Sequence, residues 1–426
     1  MPNVWKKRKL RDVTLKIADR DHFTPTYVDD GVPMVSPKDF DSSDRIDFSG
    51  CMKITWEAHQ KNRQKTDIQP GDIVFTRIGA RLGKACLVTS NMPEFSLLHS
   101  AVMVRPDTRV VTPDYLLYLL KGEQVQSQIG REIQSIGVPD LGLDKINSFE
   151  VALPPLRHQR RIAEILSTVD EAIEQTEVLI VKYLQIKSGL MDGLFTRGVT
   201  ADGKLRPTRL EAPEHYKESF LGWIPQSWDT IRISDGFELQ LGKMLSKRAK
   251  TGNFSAPYLG NRAVQWDYVD CSGVEFMDFN PAEREKFRLK TGDLLVCEGG
   301  DVGRTALWRG ELDDCYYQKA LHRLRPKTER LLCNFMLRFM RFAKDHGHFR
   351  EYTSQSSIAH LTQEKLGSMK MLMPPLDEQH RIANLFDACD ESLFAERAKL
   401  SKLYRQKHGL MQDLLTGRVP VKVADA

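Results

Sequence analysis

Apolar residues recur at alternating steps of four and three along two long stretches of the chain. From Ile162 the steps land on Leu166, Val169, Ile173, Thr176, Ile180, Tyr183, Lys187, Leu190 and Leu194. From Ile382 they land on Phe386, Cys389, Leu393, Glu396, Leu400, Leu403, Lys407, Leu410 and Leu414. Eight of the ten positions in each series are apolar, the seam of a coiled coil, and this predicts two long helices. Pro154-Pro155 and Pro374-Pro375 stand where each helix would begin, a place that tolerates a missing N–H. No further proline occurs before Pro207 and Pro420. The polar exceptions fall at matching places, Thr176 with Glu396 and Lys187 with Lys407. A lysine at the edge of a seam can snorkel to solvent, and one inside it can fix register and partner choice.

The match is general. Residues 154–199 laid on residues 374–419 without a gap agree at 17 of 46 positions. Shared residues include Gln159 with Gln379, Arg161 with Arg381, Ile162 with Ile382, Lys187 with Lys407, Gly189 with Gly409 and Met191 with Met411. Such self-similarity means one chain built from two halves. Fainter echoes precede each helix. Gly71-Asp72-Ile73-Val74-Phe75 corresponds to Gly292-Asp293-Leu294-Leu295-Val296, and Tyr115 to Leu120 corresponds to Phe335 to Met340. Residues 12–70 and 229–290 barely align. Each half therefore reads as a divergent mixed α/β head followed by a similar helix. The expected domains are 1–152 and 224–372 for the heads, 153–198 and 373–426 for the helical repeats, and 199–223 as a polar linker rich in Gly, Pro and charge. Two exposed seams would be costly, so the helices are expected to pack together. If each leads from one head towards the other, they run antiparallel. The expected architecture is α/β (mixed α+β heads): two globular heads separated by an antiparallel coiled-coil spacer, with an internal pseudo-two-fold repeat.

Composition narrows the function. A chain of 426 residues holds more than one core. No apolar run approaches the ~20 residues of a membrane span. The start, MPNVWKKRKL, has no apolar segment of a secretory signal. Seven scattered cysteines without a CxxC argue for reduced thiols and a cytoplasmic location. The net charge of +5 permits nucleic acid without arguing for it, and clusters say more: Lys6 to Lys9, Arg157 to Arg161, and Arg323, Arg325, Lys327 and Arg330. Catalytic patterns fail. Gly79 to Lys84 is one residue short of a phosphate loop and is followed by Ala85, and Gly299 to Gly303 lacks dinucleotide spacing. His346-Gly347-His348 has no third metal ligand in register and reads as a surface turn.

As a binding surface the same segments are coherent. Loops after the Gly-Asp strands carry Arg77, Arg81 and Lys84 in one half and Arg304 in the other. Lys38 in Val35-Ser36-Pro37-Lys38 and Arg262 in Leu259-Gly260-Asn261-Arg262 occupy similar places after Pro33 and Pro257. Gln134, Ser135, Gln355, Ser356 and Ser357 precede the helices and offer groups that can read base edges. Singly each is an ordinary loop residue; recurrence in both halves makes the case.

PPLxxQxRIA opens a helix twice, KxGLMxxLxT closes it twice, Ile224-Pro225-x-x-Trp228 begins the second half, and a Gly-Asp-hydrophobic segment lies in each head. On these the chain resembles, over essentially its whole length, the specificity subunit of type I restriction–modification systems. The resemblance implies a non-catalytic subunit of a restriction endonuclease and adenine methyltransferase complex. Each head would read one half of a bipartite asymmetric site in double-stranded DNA, with the helices as spacer. It also implies two modification (methyltransferase) subunits and, in the full complex, restriction (translocase-nuclease) subunits. No cofactor would be bound by this chain; S-adenosylmethionine, ATP and Mg2+ would sit on the partners. Two alternatives stay open: the recognition subunit of a fused system that cuts both sides of its site, and a coiled-coil scaffold whose heads bind protein.

Overall fold

In each half a short strand runs through the proline pair into a long helix. Strand Glu150–Leu153 leads to helix Leu156–Thr196, and strand Lys370–Met373 leads to helix Leu376–Leu415. At 41 and 40 residues, these helices are each about 60 Å long. The computed structural model describes residues 5–20, 25–132, 139–245, 252–352 and 360–423. The chain divides into two compact units, Met1–Val178 with Arg397–Ala426, and Leu179–Glu396. Both divisions fall within a long helix, so each unit owns one head and part of each helix.

The helices pack through the expected seam, and antiparallel. In the first unit Ile162 and Leu166 share a core with Leu414 and Leu415. Further along, Asp170 lies 2.6 Å from Lys407, and Glu177 accepts from the Tyr404 hydroxyl at 2.7 Å. Numbers rise on one helix as they fall on the other. In the second unit Leu194 and Phe195 join Ile382 and Phe386 in the core, and Lys187 lies 2.6 Å from Asp390. The two seam lysines are therefore half-buried ion-pair donors across the helix interface, placed reciprocally.

A buried glutamine joins each helix to its head. Gln159, 1% exposed, accepts from Thr112 N at 2.9 Å and donates to the Val110 and Pro154 carbonyls, each at 2.9 Å. Gln379, fully buried, accepts from Leu332 N at 2.9 Å and donates to the Arg330 and Pro374 carbonyls at 2.9 and 2.8 Å. One amide thus satisfies three backbone groups at the joint, which fixes the angle at which the helix leaves.

The heads share a topology that their sequences hide. Each has a four-stranded antiparallel sheet. In the first the order is Thr14–Ala18, Ala101–Pro106, Ile73–Thr76, Ala85–Leu87. In the second it is Phe237–Leu241, Leu321–Pro326, Leu294–Cys297, Thr305–Leu307. Each also has a smaller sheet with one parallel pair, Val32–Val35 beside Ser96–Leu97 and Ser255–Leu259 beside Tyr316–Tyr317. The first head adds an outer strand, Tyr27–Val28. The stretch 199–223, expected as a linker, is folded. Its Arg206 forks onto the buried Glu378, Tyr216 is buried, and Tyr216–Ser219 pairs with Gly222–Pro225.

Gln379→Ala removes three hydrogen bonds at one joint and is expected to cost about 1–3 kcal/mol, read as a lower midpoint in thermal or urea unfolding. Asp67 gives a pH test. The Lys16 ammonium, seconded by Arg105, holds its carboxyl down at about 2 against an ordinary 3.8. Its stabilising contribution is complete above the ordinary value and is lost as pH falls from about 4 to about 2. Acid titration of Asp67→Asn should show a shallower loss of stability across that window than the parent chain.

Candidate nucleic-acid interface

Both larger sheets brace their central hairpin in the same way. Gly71 and Gly292 adopt left-handed backbone, φ 94° and 95°, at the turn before the strand. The next residue is a buried aspartate. Asp72 accepts from Gln69 N at 2.8 Å and from Arg105 Nε and Nη2, both at 2.8 Å. Asp293 accepts from Lys290 N at 2.8 Å and from Arg325 Nε and Nη2, both at 2.7 Å. Each fork locks turn to neighbouring strand. Strands Ile73–Thr76 and Leu294–Cys297 are buried throughout, so the hairpin beyond each is projected from a rigid base.

Three segments gather at that hairpin in the first head. Gly79 N donates to Pro139 O at 3.0 Å and Leu141 N to Arg77 O at 2.8 Å, which sets the residues following 133–138 against the hairpin. Arg81 donates to the Lys38 and Phe40 carbonyls, and Lys84 Nζ lies 2.7 Å from Asp44. This draws in the loop after strand Val32–Val35. The second head repeats the arrangement with other residues. Leu361 N donates to Glu298 O at 2.8 Å, Arg304 donates to Asn261 O at 2.8 Å, and Asn261 Nδ2 donates to Gly299 O at 3.0 Å.

The individual side chains divide sharply. Lys38, Arg81 and Arg262 are exposed, and Lys84 and Arg304 are half-buried. Arg262 makes no ion pair among the described residues. Gln134, Ser135, Gln355, Ser356 and Ser357 lie outside the described residues. Arg77 corrects the sequence reading. It is 5% exposed, donates to Leu141 O at 3.1 Å, and pairs with Asp19 and with Asp140 at 2.8 Å, so it braces the loops from inside. The late basic cluster is corrected too. Arg323 is 3% exposed and pairs with Glu238 at 2.6 Å, while Arg325 serves Asp293. Acids more than 30 residues away in sequence neutralise both. Lys6 to Lys9, Arg157, Arg160 and Arg161 remain exposed. His348 is buried, not part of a surface turn, and burial holds its imidazole below the ordinary value.

On the helices, Gln159, Gln379, Ile162 and Ile382 are buried within the chain. Arg161 pairs with Glu164 at 2.7 Å and Arg381 with Asp377 at 3.3 Å. Met191 is buried in the second unit and Met411 packs against the core of the first. Gly189 and Gly409 differ: a β-carbon built on either meets no atom within 4 Å. Among the described residues no group of three or more His, Cys, Asp or Glu could hold a metal ion. No described helix is long and apolar enough to cross a membrane. Burial pushes the Cys51, Cys315 and Cys333 thiols up to about 12 and Cys297 to about 11, so these stay protonated near neutrality.

The model of the type I restriction modification DNA specificity domain matches the chain twice, at residues 2–181 and 225–404. The chain belongs to the type I specificity-subunit family. Its relatives include a putative type I restriction enzyme MjaX specificity subunit of Methanocaldococcus jannaschii, 27% identical over 99% of this chain and 95% of that protein. The MjaVIII specificity subunit of the same organism is 24% identical over 80% of this chain and 76% of its own. The fold is shared with the crystal structure of the S subunit from M. genitalium, at TM-score 0.60 and 17% identity over 97% of each chain. A chain described in work on assembly and conformational transition of the type I R-M system gives TM-score 0.59 over 98% and 99%.

As a specificity subunit, the chain is a sequence-recognition module for DNA, and its two domain copies contain the two three-loop sites. Sequence reasoning missed Asp44 and Asp267, which shape those sites; they lie where the halves do not align. Burial separates the two arginines tested next. Arg77→Met should destabilise the chain by about 2 kcal/mol in unfolding measurements, since it strips a buried brace. Arg262→Ala should change stability by less than about 0.5 kcal/mol. In the assembled complex it should weaken binding to cognate DNA about tenfold by fluorescence anisotropy.

Proposed function

We propose that each head reads one half of a split, non-palindromic DNA site, and that the paired helices present two matched seats for modification subunits. The carrying observation is a recurrence under divergence. One backbone bond between the hairpin and the segment before the long helix recurs in both heads, Leu141 N to Arg77 O and Leu361 N to Glu298 O, while the side chains that tie in the third loop differ. Loop tips that differ on a common frame are suited to reading different bases. Lys38, Arg81 and Lys84 are the reading or phosphate-contacting groups of the first head, and Arg262 and Arg304 those of the second, and Gln134, Ser135, Gln355, Ser356 and Ser357 offer further base-reading groups.

The helices, by contrast, repeat residues that no internal packing requires. A mid-helix glycine costs about 1 kcal/mol relative to alanine. Gly189 and Gly409 carry that cost at matching positions with open space beside them, which suits close approach by another chain. Exposed Val181, Leu184, Ile186 and Phe394 in the second unit add apolar area on the same element pair. Modification subunits would supply adenine methylation with S-adenosylmethionine, and restriction subunits ATP-driven cleavage with Mg2+, in the cytoplasm. This chain contributes recognition and not catalysis.

Methylation-aware sequencing of DNA from cells carrying this chain with its partner subunits tests the reading. Replacing residues 12–140 by the matching segment of another specificity subunit should change one half of the methylated motif and leave the other half intact. A change in both halves would overturn the two-reader assignment.

A further inference from the structure

The two reading loops are fastened to the rest of the molecule in different ways. In the second unit, Asp267 sits in left-handed backbone at φ 73° and faces two cations. Its carboxylate is 3.1 Å from Arg338 and 3.5 Å from Lys187 of the first long helix. Lys187 lies 2.6 Å from Asp390 of the second long helix. Arg338, on the head helix Cys333–Asp345, is 3% exposed and also reaches Asp387 at 2.9 Å and Asp390 at 2.8 Å. Reading loop, head helix and both long helices therefore meet in one charged network. The far side of the loop is held too. Asn261 is bound to the hairpin, and Trp266 Nε1 donates to Asp301 at 2.7 Å. Arg262 lies between these anchors.

The first unit has other chemistry at the matching places. Tyr118 stands where the second half has Arg338, and its hydroxyl donates to Asp170 at 2.8 Å. Asp44, at φ 62°, corresponds to Asp267 but turns to Lys84 at 2.7 Å and Lys121 at 3.4 Å, within its own head. Lys407 serves only Asp170 among the described acids. This loop reaches the long helices through a Ser43–Tyr404 contact and the Arg45–Glu174 pair. Arg45 and Glu174 are 52% and 61% exposed, so water and salt screen them. A groove of about 830 Å³ runs between residues 42–46 and Asp170, Glu174 and Lys407.

We infer that the spacer helps determine base discrimination in the second head and not in the first, with Lys187 and Asp267 as positioning residues. This rests on the reading of the heads as half-site readers. Arg338 is enclosed by three carboxylates, and Lys187 supplies the second cation. Without Lys187 the cluster carries an extra uncompensated negative charge, and the loop loses its tie to the first long helix. The turn bearing Arg262 then samples more positions over the bases. Phosphate contacts survive such slack better than base contacts, because base readout depends on the placement of donors and acceptors. Lys407 makes no ion pair with a reading loop among the described residues and approaches Asp44 only by way of Lys121, so its loss leaves base preference untouched.

The test uses the full chain in complex with its modification subunits and measures methylation rates over a library of single-base variants of the split site. The half-site of the second head is the half that survives replacement of residues 12–140. Lys187→Met should lower discrimination in that half about tenfold and leave the other half unchanged. Lys187→Arg should retain discrimination, and Lys407→Met should leave it unchanged in both halves. If Lys187→Met does not assemble, Asp267→Asn, which leaves every helix side chain in place, should give the same one-sided loss. Equal loss in both halves, or parental discrimination in the second half for an assembled variant, overturns the inference. A parent complex that methylates no split site would instead overturn the half-site reading itself.

Discussion

Everything in this fold depends on a fixed joint between each head and its long helix. A 60 Å rod magnifies any angular slack at its root, and a reader of DNA cannot tolerate that slack. The joint is made by one buried amide in each half. Gln159 and Gln379 each satisfy a backbone N–H and two carbonyls where a strand turns through prolines into a helix. A buried residue with one acceptor and two donors is suited to that place. An aliphatic side chain would leave the backbone groups unpaired, and a charged one would bring a desolvation cost. The apolar seam then joins rod to rod, and the Lys187–Asp390 and Lys407–Asp170 pairs bind the rods at places related by the repeat.

The repeated parts of the molecule were legible in the sequence, because an antiparallel pair of like helices imposes the same demands twice. Seam positions, proline starts and polar exceptions all sat at one offset, and the structure buries or half-buries the seam and pairs both of its lysines. The Gly-Asp segments were visible as strands, yet the arginine partner in the second head was misread and the one in the first, Arg105, left no signal. Arg325 looked like part of a surface cluster, because the acid that neutralises it, Asp293, is 32 residues away in sequence and adjacent only across strands. Arg77 deceived in the same way, its partners Asp19 and Asp140 arriving from opposite ends of the first head. Charge runs are read along the chain, while ion pairs form across it.

The loops that distinguish the heads were opaque for a different reason. Asp44 and Asp267 both occupy left-handed backbone, a conformation that aspartate tolerates better than most residues. They lie in the regions where the two halves lose alignment. Equivalent backbone roles without equivalent neighbours leave no periodic trace. What survives divergence is topology: one parallel strand pair, one antiparallel hairpin and one aspartate–arginine fork in each head.

That division of labour explains how unlike heads can be carried on like rods. The fork, the buried strands and the backbone contacts between loops hold each site in shape, so stability asks little of the side chains at the tips. Arg262 is exposed and makes no ion pair among the described residues, whereas Arg77, four residues from the exposed Arg81 but oriented inward, carries structural duty. Residues of the first kind can change without disturbing the frame; residues of the second kind cannot. Where the second head adds Arg338 and Asp267 to its frame, it ties its tip to the spacer as well. The price of pseudo-symmetry is thus confined to the rods and joints, and the two readers are free to differ even in how firmly they are held.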